Sequence, residues 1–99
     1  MTTAVAKMGA EHGFAAALAD HRAGRIGAAE AGYRAVLRDD PGHAHANNNL
    51  AILLRAMGRV ADAVVCYHQA ARTSPEDAAI RSNLSCALSD LNRVADATA

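Results

Sequence analysis

The 99-residue chain has few aromatic residues, few prolines and no excess of either charge. Two tyrosines and one phenylalanine are its only aromatic residues, and tryptophan is absent. Alanine dominates the apolar part of the composition, which favours close helix packing and gives strands few of the β-branched and aromatic residues they prefer. Composition therefore predicts an all-α protein, and the length limits it to one small domain.

Missing charge patterns and missing apolar runs exclude several classes of protein. Ten basic and ten acidic side chains cancel, and no basic stripe is present, so we expect no nucleic-acid partner. No run of about 18 apolar residues occurs, and Lys7, Glu11 and His12 interrupt the first apolar stretch before a secretion signal could form. The sequence thus predicts a cytoplasmic protein without a membrane partner. Cys66 and Cys86 are predicted to be reduced core residues rather than a disulfide.

An internal repeat is the most informative feature of the sequence. The pentapeptide RVADA occurs at Arg59 to Ala63 and again, 34 residues later, at Arg93 to Ala97. Matches at one fixed period in this range are the signature of stacked structural repeats. The further residues that the same shift superposes are Gly24, Gly58 and Asn92, then Ala29, Ala63 and Ala97, then Tyr33 and Tyr67, and finally Pro41 and Pro75.

Each repeat unit is predicted to be a helix, a tight turn and a second helix. Apolar residues recur at helical spacing before Gly58 and again after it. Gly24 and Gly58 suit the left-handed conformation that follows a helix, and Asn92 is the next best residue for it. We expect the three repeated alanines to mark the closest approach of paired helices. The segment from Ser74 to Asp77 is predicted to form a capping box, with Ser74 at the start of the next helix.

On these residues the chain resembles the tetratricopeptide repeat family. The resemblance implies an α-solenoid of antiparallel helix pairs, about two and a half repeats long, wound as a right-handed superhelix. The residues of the middle unit that carry it are Leu50, Ala51, Leu54, Gly58, Ala63, Tyr67, Ala70 and Pro75. The implied organisation is an amino-terminal tail at 1–9, a degenerate repeat at 10–43, a second repeat at 44–77, and a third at 78–99 that is truncated in its second helix.

What the resemblance implies for function is a non-catalytic protein interaction module. The first helix of each pair would line a concave groove that binds an extended peptide or a partner helix. The groove residues expected on this basis are Asn48, Asn49, Ile52, Arg55, Ser82, Asn83 and Cys86. In the first unit the corresponding positions are Glu11, Phe14, Ala15, Leu18, His21 and Arg22.

Two asparagines of this groove indicate how it could hold a ligand. Asn49 and Asn83 each precede the repeated leucine, so we expect them to lie one above the other and to bind the backbone of a ligand. This is similar to the asparagine ladder of O-linked N-acetylglucosamine transferases, which implies a substrate-recruiting part of a longer transferase-type protein. The alternative is that both amides bond locally or to water. A carboxylate clamp, as in chaperone cofactors of the family, is not expected because Phe14 and Ala79 replace its lysines.

Catalytic and metal sites are not predicted, and neither is a cofactor. His43 and His45 are two residues apart, so on a helix they would point about 200° apart, and no standard zinc-ligand spacing accompanies them. We expect these histidines to be solvated or to cap a helix. Ser82, Ser85 and Cys86 have no recognised nucleophile motif around them.

A second function follows from the last unit. Its second helix is about two turns shorter than the equivalent helix of the middle unit, and terminal repeats normally need a polar cap. Two explanations are open: the chain is part of a longer protein, or its exposed end packs on another copy. The second gives the alternative hypothesis of an assembly module that forms a homodimer through its carboxy-terminal end.

Overall fold

A computed structural model describes the backbone of residues 2–98 and the side chains of residues 9–95. Within that range the chain is entirely helical and contains no strand, which confirms the all-α prediction. None of its helices is long and apolar enough to cross a membrane. The five helices are α1 (Thr2–Arg22), α2 (Ile26–Asp39), α3 (Ala44–Ala56), α4 (Val60–Thr73) and α5 (Ala78–Thr98).

Consecutive helices pack against each other, and the molecule measures 50 × 29 × 19 Å. The first two helices are antiparallel, because Gly13 faces Val36 at one end of the pair and Ala17 faces Gly32 nearer the other end. A Cβ atom added at Gly32 would lie 2.8 Å from the Ala17 Cβ atom. Glycine at position 32 therefore allows a close approach of α1 and α2 beside Ala17.

The core joins the two helix pairs and holds most of the large apolar side chains. The two tyrosines of the repeat, Tyr33 and Tyr67, are buried there, as are Ala29 and Ala63. The third alanine of that set, Ala97, lies outside the described side chains. Asn47 is buried as well, and its Nδ2 atom donates a hydrogen bond to the Pro41 carbonyl oxygen at 3.1 Å. This bond supplies a partner for a polar group that burial would otherwise destabilise.

The two turns within the helix pairs have the conformation that the sequence predicts. Gly24 has a φ of 79° and Gly58 a φ of 82°, both in the left-handed region. A side chain would strain this conformation, so glycine is the residue that lets the chain reverse here. The helix, turn and helix predicted around Gly58 is therefore confirmed.

The turn predicted at Asn92 is wrong. Helix α5 runs without a break from Ala78 to Thr98, and no non-glycine residue in the described range has a positive φ. Arg93 consequently lies inside a helix rather than ahead of a new one. Asparagine has a Cβ atom, so the left-handed conformation is costlier for it than for glycine, whereas it is tolerated better than glycine inside a helix. Continuing the helix also keeps its backbone hydrogen bonds.

The start of α5 also differs from the predicted capping box. Ser74 ends α4, where its N–H donates to the Ala70 carbonyl oxygen at 2.9 Å. Asp77 is the residue that caps α5, because its Oδ1 atom accepts from the N–H groups of Ala79 at 3.0 Å and Ile80 at 3.2 Å. A carboxylate immediately before the helix satisfies these free donors, which Ser74 is too far back in the chain to reach.

The first helix begins earlier than the sequence pattern indicates. Residues 2–9, which we expected to form a tail, belong to α1. Alanine, valine and methionine in this segment are compatible with a helix, and no proline interrupts it.

Candidate functional site

The side chains expected in the groove lie on α3 and α5, which run side by side. Asn83 Nδ2 donates a hydrogen bond to Asn48 Oδ1 at 3.2 Å, and Arg55 Nε donates to Asp90 Oδ2 at 2.6 Å. Both contacts join residues that are 35 positions apart. The two helices are therefore parallel, and their register is shifted by one residue from the sequence period of 34.

A depression of about 520 Å³ lies between α3 and α5. Ile52, which is 38% exposed, gives it apolar surface, and the Asn83 amide provides hydrogen-bonding groups. Its lining residues are Ile52, Arg55, Ala56, Tyr67, Asn83 and Asp90. Three of the predicted groove residues, Ile52, Arg55 and Asn83, thus line one cavity, and Asn48 is bonded to the last of them.

The charges of this depression compensate each other. The hydrogen bond to Asp90 raises the pKa of Arg55 above its ordinary value, and the attraction between the two charges acts in the same direction. Burial raises the pKa of the Tyr67 phenol, although the charge of Arg55 opposes that effect. The guanidinium is therefore already paired, and the depression presents a polar but nearly neutral surface to a ligand.

Asn49 of α3 lies close to Tyr33 of α2. Burial raises the pKa of the Tyr33 phenol, and the weaker effect of the Asn49 side chain lowers it. The Tyr33 hydroxyl also lies 2.9 Å from His21 Nδ1. Asn83 is bonded to Asn48, the residue before Asn49, and the stacking of Asn49 with Asn83 stays a prediction.

The remaining predicted residues do not line the depression. Ser82 and Cys86 are exposed on α5. The prediction that both cysteines belong to the core is wrong for Cys86, while Cys66 is half-buried. The buried side of α5 contains Ile80 and Ala87, and Cys86 is one residue, or about 100° of helix rotation, away from Ala87.

Three residues of the site, Ala56, Tyr67 and Asp90, were not among the groove residues predicted from the sequence. Asp90 has no counterpart in the repeat, since the residue 34 positions earlier is Ala56. Tyr67 belongs to the second helix of its pair, so the pattern of the first helices does not include it. The signal that could have found Asp90 is its charge, opposite to that of Arg55 and close to one repeat period away.

A histidine near the start of α3 has a structural role. His43 Nδ1 accepts a hydrogen bond from the Ala46 N–H at 3.1 Å, so its Nε2–H donates to Glu11 Oε1 at 2.9 Å. The ring also packs against Phe14, with the ring centroids 4.9 Å apart. Of the two roles expected for this histidine, solvated or helix-capping, the structure has the second. Among the side chains that the structure describes, no group of three His, Cys, Asp or Glu residues could hold a metal ion.

No protein-family model matches the chain, and no curated protein sequence matches it. The surface formed by α3 and α5 is therefore the feature on which a functional proposal depends.

Proposed function

We propose that the chain is a non-catalytic tetratricopeptide repeat module that binds an extended peptide along α3 and α5. The depression between these helices, bordered by Ile52, Asn83 and the Arg55–Asp90 pair, is the observation that carries the proposal. Open concave sites with apolar surface and a few hydrogen-bonding groups are typical of ligand binding. Neither a metal nor a cofactor is needed for this role.

The repeat architecture belongs to the same proposal. Consecutive helices pack in order, and α3 and α5 begin 34 residues apart, at Ala44 and Ala78. Odd-numbered helices also contact each other, since Phe14 of α1 packs near His45 of α3 and Asn48 of α3 bonds to Asn83 of α5. This arrangement supports a stack in which the first helix of each pair faces the ligand.

The amide pair suits the backbone of an extended peptide. Within the bond between Asn83 and Asn48, the Asn83 Oδ1 atom and the Asn48 NH₂ group keep hydrogen-bonding capacity. A peptide backbone needs one acceptor and one donor per residue, whatever its side chains are. The compensated Arg55–Asp90 pair favours an uncharged or apolar ligand side chain in the depression.

A peptide library tests the proposal. Peptides selected for binding would be measured by fluorescence anisotropy against the chain and against an Asn48→Ala/Asn83→Ala double variant. We expect the binding free energy to weaken by about 1–3 kcal/mol, since each hydrogen bond from a side-chain amide contributes roughly 0.5–1.5 kcal/mol net. The matched control is His68→Ala/Gln69→Ala, which changes two exposed residues of α4. Equal losses in both double variants would place peptide binding outside the α3/α5 surface.

Self-association is a second candidate, because α5 has exposed apolar residues. Leu88 is 40% exposed and Val94 51% exposed. A second copy packed on this helix would remove both from water. Light scattering over a range of concentrations, repeated with Leu88→Glu, tests this: we expect a dimer in the unmodified chain and a monomer in the variant. A mass that stays monomeric at every concentration contradicts self-association.

A further inference from the structure

A second furrow lies between α2 and α4. It consists of two adjoining depressions, of about 380 Å³ and about 230 Å³, that share Arg34 and Cys66. We call it the α2/α4 furrow. The first depression is lined by Arg34, Leu37, Arg38, Leu50 and Cys66, and the second by Arg34, Leu54, Arg59, Asp62, Val65 and Cys66.

The floor of the α2/α4 furrow is apolar. Leu37 and Cys66 are half-buried along it, and Val65 at its side is 60% exposed. Burial raises the pKa of the Cys66 thiol, so this thiol is neutral at physiological pH and behaves as a small apolar group. An apolar side chain placed here would remove these groups from water.

The two ends of the furrow differ in charge. At one end, Glu30 lies 3.0 Å from Arg34 and 3.3 Å from Arg59, and Asp62 lies 3.1 Å from Arg59, so the charges are compensated. At the other end, Arg38 makes no ion pair with any residue that the structure describes. Arg38 lies one helical turn beyond the paired Arg34 and therefore presents its guanidinium, without an ion pair in the described part of the chain, beside the apolar floor.

Hydrogen bonding limits what can occupy the furrow. No amide side chain is among its lining residues, in contrast to the α3/α5 surface. Its arginines can donate to peptide carbonyl oxygens, but Asp62 is the one carboxylate among the lining residues. The N–H groups of an extended peptide would therefore find few acceptors, whereas a helix satisfies its own backbone groups. The distance along α2 from Glu30 to Arg38 is about 12 Å, which matches roughly two turns of helix.

We propose that the α2/α4 furrow docks an amphipathic helix of a partner protein. Two apolar side chains of the partner occupy the two depressions, and an aspartate or glutamate one turn away pairs with Arg38. The surface lies on different helix faces from the depression between α3 and α5, so the proposal does not depend on peptide binding there.

Cys66 provides a direct reporter of occupancy. In a Cys86→Ser background, Cys66 is the only thiol, and its reaction with a disulfide reagent can be followed by absorbance. The probe is a synthetic helical peptide, capped at both ends, with leucines one turn apart and a glutamate one further turn away. We expect saturating probe to slow the reaction about tenfold, and a probe with glutamine for glutamate to bind about tenfold more weakly.

Variants of the chain test the charge pairing. Arg38→Gln should bind the glutamate probe about tenfold more weakly, and its folding should be unchanged because Arg38 is exposed. The matched control, Arg72→Gln, changes an exposed arginine of α4 that does not line the furrow. Asn48→Ala/Asn83→Ala should bind the probe with unchanged affinity.

Four results would overturn the proposal. The first is that the probe does not protect Cys66 even at roughly millimolar concentration. The second is equal binding of the glutamate and glutamine probes, and the third is equal binding by Arg38→Gln and the unmodified chain. The fourth is protection of Cys66 by decanoate but not by the peptide, which would assign the furrow to a small amphiphilic carboxylate.

Discussion

The pentapeptide Arg-Val-Ala-Asp-Ala occurs twice in this chain and has two different structures. In the first copy Arg59 follows a turn at Gly58, and Val60 begins α4. In the second copy Arg93 lies within α5, which continues through Asn92. Five identical residues therefore have helix-forming tendency in both places but begin a helix in only one. The residue before them and the packing after them decide which.

Packing differs as much as the turn does. In the first copy Ala63 is fully buried, and the neighbouring Val64 is also in the core. Among equivalent residues whose side chains the structure describes, Val60 of the first copy is half-buried and Val94 of the second copy is 51% exposed. Reversing the chain at Gly58 returns apolar side chains to the core, which offsets the entropy of an ordered turn. At Asn92 the described side chains gain no comparable burial, so one continuous helix is more stable.

The buried alanine of the first copy gives the largest expected effect. Ala63→Leu should destabilise the protein by about 1–3 kcal/mol, because the three additional side-chain carbons of leucine cannot fit at this fully buried position without strain. Urea unfolding followed by circular dichroism measures it. Ala61→Leu, an exposed alanine of the same pentapeptide, is the control and should change stability by less than about 0.5 kcal/mol. Similar losses in both variants would contradict close packing at position 63.

The turn residue gives the next largest effect. Gly58→Ala should destabilise the protein by about 1–2 kcal/mol, because alanine is strained at a φ of 82°. Gly27→Ala is the matched control, since Gly27 lies in α2 and an added Cβ atom would meet nothing within 4 Å. That change should stabilise by roughly 0.5–1 kcal/mol. Thermal unfolding of both variants checks the opposite signs, and a neutral Gly58→Ala would show that the turn is not needed.

Helix existence and the glycine turns could be predicted from the sequence, because they depend on local periodicity and on one special backbone conformation. The contact of Gly32 with Ala17 could not, since no pattern in the sequence tells a spacer glycine from a helix-weakening one. The cap at Asp77 was missed because Ser74 fits the same motif three residues earlier. Ser74 and Asp77 both fit the helix-capping motif. Asp77 is the cap because α5 begins at Ala78, and the position of that helix start depends on packing.

The site shows the same division. Ile52, Arg55 and Asn83 were predicted as groove residues from helical spacing on the first helices, and they line the depression between α3 and α5. Asp90 was missed because no earlier unit has a carboxylate there. The pairing of Asn83 with Asn48 depends on a register of 35 between α3 and α5, which is a property of helix packing and not of the sequence period.

Substitution at Asn92 gives a smaller change in stability. The sign of that change distinguishes a continuous helix at this position from the turn predicted from the sequence. Inside a helix, Asn92→Ala should stabilise by about 0.5–0.7 kcal/mol, because alanine has the better helix propensity. In a left-handed turn the same change would destabilise. Asn92→Gly should lower stability slightly in the continuous helix. Chemical denaturation measures the stability of both variants. Lower stability of Asn92→Ala together with higher stability of Asn92→Gly would support the predicted turn instead of the continuous helix.

The arginine that opens each pentapeptide gives the smallest effect. Arg59 pairs with Asp62 at 3.1 Å and reaches across to Glu30 of α2 at 3.3 Å, whereas Arg93 lies 3.9 Å from Asp90, its side chain 81% exposed. Exposed ion pairs contribute little, so Arg59→Ala should destabilise by about 0.2–0.5 kcal/mol and Arg93→Ala by less. Added salt should reduce the difference, because the Debye length falls to about 3 Å at 1 M. Urea unfolding at low and high salt measures it. A larger loss of stability for Arg93→Ala than for Arg59→Ala would contradict this ranking of the two ion pairs.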